Sequence, residues 1–147
     1  MNEIEGITVL LVEDNPADVR LIKEVFNGFQ IKNDIIDIGD GKEAMDYLYK
    51  KGNYKNAKTP SIILLDLNLP KKDGREILKE IKNHDELKII PVIILTTSND
   101  KEDIYNAYKH HANAYLVKPV DFKEFEETIS SLEDFWLTKN KFYAFED

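Results

Sequence analysis

The sequence predicts a doubly wound α/β domain, with a five-stranded parallel sheet covered by helices on both faces. Four short apolar runs lack polar alternation, which is typical of strands buried on both faces. These runs are ITVLLV (7–12), SIILLDL (61–67), IIPVIILTT (89–97) and NAYLVKP (113–119). A weaker run, NDIIDIGD (33–40), predicts an edge strand. Helical periodicity lies between the runs, and strands that alternate with helices indicate repeated βαβ units.

Each predicted strand is followed by apolar residues spaced three and four apart, which predict one helix per strand. The five stripes are Val19, Ile22, Val25, Phe26 and Phe29; Ala44, Tyr47 and Leu48; Ile77, Leu78 and Ile81; Ile104, Ala107, Tyr108 and His111; and Phe122, Phe125, Ile129, Leu132 and Trp136. We expect Tyr108 to pack in the core. Asn15 and Pro16 are typical of a helix N-cap and first position. We expect Asp40 to precede the second helix and Gly52 to end it.

The composition limits the function classes. A length of 147 residues indicates one domain, at roughly 150 residues per domain. The 20 basic and 28 acidic residues give a net charge of −8, which argues against binding to nucleic acid phosphates. The absence of cysteine excludes disulfides, thiolate nucleophiles and cysteine-ligated zinc, and it favours a cytoplasmic location. No apolar run approaches about 18 residues, so we expect no membrane segment.

Polar side chains stand where the predicted strands end. Glu13 and Asp14 follow the first strand, Asp66 the third, Thr96 the fourth and Lys118 the fifth. Ligands of open α/β sheets bind at the carboxyl ends of the strands, so these five side chains should meet at one edge. Each residue alone has an ordinary explanation as a turn, cap, strand or surface residue. Their joint position at four strand ends indicates a functional site.

The chemistry of such a cluster predicts a hard divalent cation. Three carboxylates packed together repel one another unless a cation is present, and Mg²⁺ prefers oxygen ligands. An aspartate beside Mg²⁺ can accept a phosphoryl group, and Lys118 and Thr96 suit its oxygens. Asp66 is the candidate nucleophile because it ends the central strand, which leaves Glu13 and Asp14 to hold the metal.

Four motifs in this order resemble the receiver domains of two-component response regulators. They are LLVEDN (10–15), LLDLNLPKKDG (64–74), PVIILTT (91–97) and AYLVKP (114–119). The resemblance covers residues 6–138 and implies a flavodoxin-like fold with strand order 2-1-3-4-5. It leaves residues 139–147 as a short tail without an output domain, so we expect signalling through the receiver surface itself.

The resemblance also implies roles for the acidic residues. Asp66 matches the phosphoacceptor, Asp14 a direct ligand of Mg²⁺, and Glu13 a ligand acting mostly through water. Asn68 matches the position whose backbone carbonyl completes the metal site. The Glu13-Asp14 pair departs from the Asp-Asp of many receivers.

Four further positions follow the same resemblance. Thr96 matches the switch hydroxyl, Tyr115 the aromatic residue coupled to it, and Lys118 the lysine that pairs with the phosphoryl group. Pro119 implies a cis bond after Lys118. Thr97 departs from the small residue usual at its position, and we expect it to narrow access to Asp66.

A narrower resemblance concerns possible partners. EDNPADV (13–19), GNYKNAKTP (52–60), LTTSND (95–100) and FWL (135–137) resemble the stand-alone regulators of phytochrome-type sensor histidine kinases. We therefore expect such a kinase as the phosphodonor. Apolar residues crowd the C-terminus and need a covering surface. They are Trp136, Leu137, Phe142, Tyr143 and Phe145. They either fold back on the domain or form a homodimer contact, and the resemblance favours the homodimer.

Two other functions compete with a phosphorylated switch that catalyses only its own phosphotransfer and dephosphorylation. One is a phosphate-independent binding module with a receiver fold, which the intact set of polar residues disfavours. The other is a Mg²⁺-dependent phosphatase acting on small molecules. Phosphatases of the haloacid-dehalogenase type need a second acid where this chain has Asn68, which argues against that reading.

Overall fold

The computed structural model describes residues 6–147, where five strands alternate with five α-helices. The strands are β1 (Ile7–Val12), β2 (Asn33–Ile38), β3 (Ile62–Leu65), β4 (Val92–Thr96) and β5 (Ala114–Val117). The helices are α1 (Pro16–Asn27), α2 (Gly41–Leu48), α3 (Gly74–Asn83), α4 (Lys101–Lys109) and α5 (Phe122–Leu132). All strand pairs are parallel, in the order β2-β1-β3-β4-β5. The predicted fold class and strand order are confirmed.

The sheet divides the hydrophobic core into two layers. Along β1, Leu10 and Val12 face the layer beneath α2, α3 and α4, whereas Val9 and Leu11 face the layer beneath α1 and α5. Successive side chains of a strand point to opposite faces, so a strand covered on both sides needs an unbroken apolar run. This explains the runs of β1, β3 and β4. In β2, Asp34 and Asp37 are exposed, as expected of an edge strand.

Helix caps fix the chain just after the strands. The Asn15 side chain accepts hydrogen bonds from the backbone N–H of Ala17 (3.0 Å) and Asp18 (3.2 Å), as the sequence predicted.

The prediction that Gly52 ends α2 is wrong, because the helix ends at Leu48. The chain turns at Lys50, which has a φ of 56°, so Gly52 lies beyond the helix and begins a short 3₁₀ turn.

Helix α4 is less buried than its apolar stripe predicts. Ala107 is its buried residue, whereas Tyr108 is 50% exposed, so the expected core position of Tyr108 is wrong. Tyr105 is also exposed. The stripe loses its last turn because α4 ends at Lys109, and His111 takes a left-handed conformation outside the helix.

The C-terminal segment folds back on the domain. After a π-helical turn (Glu133–Leu137), Phe142 packs against the α1–α5 layer and Phe145 against the opposite one. The Asp147 carboxylate accepts hydrogen bonds from the Thr59 N–H (3.0 Å) and hydroxyl (2.7 Å). Among residues 6–147, no helix combines the length and the apolar character needed to cross a bilayer.

Candidate functional site

The fold brings the predicted polar residues together at the carboxyl edge of the sheet. Glu13 follows β1, Asp66 follows β3, Thr96 ends β4, and Lys118 follows β5. All four are buried, whereas Asp14 beside them is exposed to solvent. Buried polar side chains at four adjacent strand ends are unusual, because burial of a charge is costly unless a partner compensates it.

Three carboxylates form a cluster that suits a cation. One oxygen from each of Glu13, Asp14 and Asp66 lies within 4.8 Å of the other two. Hard divalent cations prefer oxygen ligands of this kind, so the donor set fits Mg²⁺ or a similar ion. Backbone groups orient two of the carboxylates. The Asn15 N–H donates to Glu13 (3.2 Å), and the Asn68 N–H donates to Asp66 (3.3 Å).

The Lys118 ammonium group lies among three carboxylates. It pairs with Glu13, with Asp18 Oδ2 at 2.9 Å and with Asp66 Oδ2 at 3.4 Å. Burial raises the pKa of Glu13 to about 7, with Asp66 adding to the effect and Lys118 opposing it. Burial alone would lower the pKa of Lys118, but hydrogen bonds to Glu13 and Asp18 raise it above its usual value.

Asp18 is one of the three carboxylate partners of Lys118 and was missed in the sequence, where its position in the first turn of α1 indicates only a helix-dipole role. No local pattern links Asp18 to Lys118, which is 100 residues away in the chain. The expected cis bond after Lys118 is wrong, because the Lys118–Pro119 bond is trans. The trans isomer is the more stable form of an X–Pro bond by about 0.5–1 kcal/mol. With this bond in the trans form, the Lys118 side chain still reaches the three carboxylates.

Thr96 and Tyr115 both contact the loop after β4. The Ser98 N–H donates to the Thr96 hydroxyl at 3.5 Å, and the Tyr115 hydroxyl donates to the Ser98 carbonyl at 2.9 Å. The two residues predicted to act together are thus linked through Ser98. Thr97 lies between Thr96 and Ser98 in the chain, and its side chain is exposed to solvent.

A second ionic contact holds the same loop and was also missed in the sequence. The Arg75 guanidinium donates two hydrogen bonds to Asp103, at 3.1 and 3.0 Å, and the Ser98 hydroxyl donates to Asp103 at 2.6 Å. The Ser98 hydrogen bond and the Arg75 charge hold the pKa of Asp103 below its usual range. Arg75 lies in α3 and Asp103 in α4, so the contact ties both helices to the loop.

The architecture and the position of the acidic cluster define the protein class. The family model of the response regulator receiver domain matches residues 9–130, and the chain therefore belongs to the response regulator receiver family. Its sequence is 47% identical to the response regulator Rcp1 of Synechocystis sp. over 129 residues, which cover 88% of each protein.

Two solved structures are closely similar to this fold. One is the Mn(2+)-bound form of response regulator Rcp1, with a TM-score of 0.92 and 45% identity. The other is the phosphorylated cyanobacterial phytochrome response regulator RcpA, with a TM-score of 0.92 and 43% identity. Each comparison covers 95% of this chain and 100% of the other. The expected resemblance to phytochrome response regulators is confirmed.

Proposed function

We propose that this receiver accepts a phosphoryl group on Asp66 from the phosphohistidine of a sensor histidine kinase. The observation that carries the proposal is the position of Asp66, a buried carboxylate at the end of β3. It lies beside two further carboxylates and 3.4 Å from the Lys118 ammonium group. In the reaction, a carboxylate oxygen of Asp66 forms a bond to phosphorus while the phosphorus–nitrogen bond breaks and the imidazole leaves.

The metal in this proposal is Mg²⁺, which Asp14, Asp66 and the Asn68 carbonyl would hold directly and Glu13 mostly through water. When bound, it neutralises phosphoryl oxygens and the charge that develops during transfer. The protein's own residues do the remaining work. The Asn68 N–H orients Asp66, while Lys118 supplies a positive charge to a phosphoryl oxygen. The relative Rcp1 has been solved in a Mn(2+)-bound form, which supports the proposal that this receiver binds a divalent ion.

The readout is proposed to use the loop after β4. The Thr96 hydroxyl can turn toward a phosphoryl oxygen, and this would withdraw the acceptor that the Ser98 N–H now uses. The Ser98 carbonyl holds the Tyr115 hydroxyl, so a moved loop would release or reorient Tyr115. A local change at Asp66 would thus alter the surface near α4. Signalling then proceeds through protein–protein contacts, and the receiver turns over no external substrate.

The partner proposed is a phytochrome-type histidine kinase in the cytoplasm, because the chain is similar to regulators whose names record a link to phytochrome. A homodimer is also proposed, since Phe135 and Tyr143 stay exposed although the segment around them folds back. Sedimentation of the full chain and of a chain ending at Leu137 tests it. We expect a dimer that dissociates on truncation. A monomer, or a dimer unchanged by truncation, would contradict the proposed role of the tail.

Phosphorylation by acetyl phosphate and Mg²⁺, followed by intact mass, tests the proposed function. We expect a gain of one phosphoryl group in the wild type and in Asp34→Asn, a control on the exposed edge of β2. Asp66→Asn should show no gain. Chelation of the metal should prevent the gain. No gain in the wild type would favour the phosphate-independent module, and sustained hydrolysis of small phosphate esters would favour the phosphatase.

A further inference from the structure

The Lys118 ammonium group has no spare donor in the resting protein. An ammonium group offers three N–H donors, and Lys118 has three carboxylate acceptors: Glu13, Asp18 and Asp66. A phosphoryl group on Asp66 adds further strong acceptors next to this nitrogen. Any new hydrogen bond from Lys118 to a phosphoryl oxygen must therefore replace one that already exists.

The three carboxylates differ in the free-energy cost of losing Lys118 as a partner, because they differ in exposure to solvent. The side chain of Glu13 is 1% exposed, that of Asp66 is 9% exposed, and that of Asp18 is 23% exposed. A carboxylate without a partner is costly when buried, but water can replace the lysine where the carboxylate reaches solvent. Asp66 is itself converted to an acyl phosphate, so of the two carboxylates that remain, Asp18 is released at the lower cost. It also lies outside the cluster whose oxygens suit a metal.

We propose that Asp18 is a positioning residue that holds Lys118 in the resting state and is released when Asp66 becomes phosphorylated. This inference rests on the proposed function. Asp18 competes with the phosphoryl group for the same ammonium, so the resting contact opposes phosphorylation. Release also removes the ammonium partner of the Asp18 carboxylate on the first turn of α1, which makes the electrostatic potential at that turn more negative in response to the phosphoryl group.

Beryllofluoride, which mimics the phosphoryl group on a carboxylate, provides the test at saturating Mg²⁺. Asp18→Asn removes the competing charge, so we expect beryllofluoride to bind about fivefold more tightly, as measured by calorimetry. Asp18→Glu keeps a carboxylate within reach of Lys118 and should bind like the wild type. Asp34→Asn removes an exposed carboxylate distant from Lys118 and should also leave the affinity unchanged. Urea unfolding curves confirm that each variant is folded.

A spectroscopic readout detects the resting contact directly. The ¹⁵N resonance of the Lys118 ammonium group should shift in Asp18→Asn before beryllofluoride is added, and not in Asp34→Asn. An unshifted resonance, or beryllofluoride binding in Asp18→Asn that equals or is weaker than that of the wild type, overturns the role of Asp18. Failure of the wild-type protein to bind beryllofluoride overturns the proposed function, and with it this inference.

Discussion

Substitution of Gly74 by alanine is expected to disturb both the fold and the site, because α3 begins against the end of β3. A Cβ atom at Gly74 would lie 2.1 Å from the backbone oxygen of Asp66 and 2.7 Å from Cα of Leu67. The Gly74 N–H also donates to the Leu67 carbonyl at 2.9 Å. The start of α3 is thus held directly against the backbone of the proposed phosphoacceptor.

The magnitude follows from the missing space. A carbon–oxygen contact is ordinarily about 3.3 Å or longer, so the backbone of Asp66 or of α3 must move by about 1 Å. Alanine normally stabilises a helix relative to glycine by about 0.5–1 kcal/mol. Overpacking against backbone costs more, and we expect a net loss of about 2–3 kcal/mol in the free energy of unfolding. For a domain of this size, the Tm should fall by roughly 5–10 °C.

Urea and thermal unfolding followed by circular dichroism measure this loss, and beryllofluoride binding measures the displacement of Asp66. Gly28→Ala is the matched control, since its Cβ would lie 3.4 Å from its nearest neighbour, the Val25 carbonyl. The control should be neutral or slightly stabilising. If Gly74→Ala were as stable as the wild type and bound beryllofluoride equally well, the close approach of α3 to β3 would not constrain the site.

Three further predictions concern contacts outside the carboxylate cluster. Asp103→Asn should weaken the two hydrogen bonds from Arg75 and so lower the free energy of unfolding by about 1–2 kcal/mol. Amide hydrogen exchange in residues 97–100 should become faster, because the loop is held less firmly. Burial lowers the pKa of Lys82 to about 8. The unfolded chain then binds more protons above that pH, so stability should rise by about 1–2 kcal/mol between about pH 8 and 10, but not in Lys82→Met. Asp147→Ala should cost about 1 kcal/mol and expose the C-terminal segment to proteases, because it removes the ion pair with Lys50.

Each of these predictions has its own control. Glu102→Gln changes an exposed acid of α4 and should leave loop exchange unaltered. Exchange in Asp103→Asn at the wild-type rate would show that the contacts of Asp103 with Arg75 and Ser98 do not hold the loop. Lys88→Met removes an exposed lysine whose backbone carbonyl accepts a hydrogen bond from Lys82, and this variant should keep the rise in stability with pH. If stability still rises between about pH 8 and 10 in Lys82→Met, another titrating group must cause the rise. Proteolysis of Asp147→Ala at the wild-type rate would mean that the aromatic contacts alone hold the segment.

The sheet and the polar residues that end its strands were predictable because their signals are local. An unbroken apolar run requires a strand covered on both faces, and the residue that ends each run must lie at the carboxyl edge. Asp66 and Thr96 were found in this way. The boundaries of β4 were less well predicted, since Leu87–Ile89 forms a 3₁₀ turn and the strand begins at Val92. Pro91, which has no N–H to donate to a strand ladder, separates the two.

The contacts between distant elements were not predictable. Asp18 meets Lys118, and Arg75 meets Asp103, only because the fold brings their helices and loops together. Periodicity carries no information on such pairs, since it reports which face of one element is buried. For Tyr108, in contrast, periodicity predicted a buried position that the structure does not show. Its spacing fits an apolar stripe, but α4 is short and only Ala107 is buried in it.

The balance of charge at the carboxyl edge explains why this receiver should require a metal before it accepts a phosphoryl group. Glu13, Asp14, Asp18 and Asp66 carry four negative charges when ionised, and Lys118 supplies one positive charge, which leaves −4 + 1 = −3. Phosphorylation replaces the single negative charge of the Asp66 carboxylate with a phosphoryl group that carries about −1.5 to −2 near neutral pH, so the site becomes more negative by about 0.5 to 1 charge. Lys118 is shared among its existing partners and cannot offset the addition alone. A divalent cation at the carboxylates reduces the repulsion, so metal binding and phosphorylation should each favour the other.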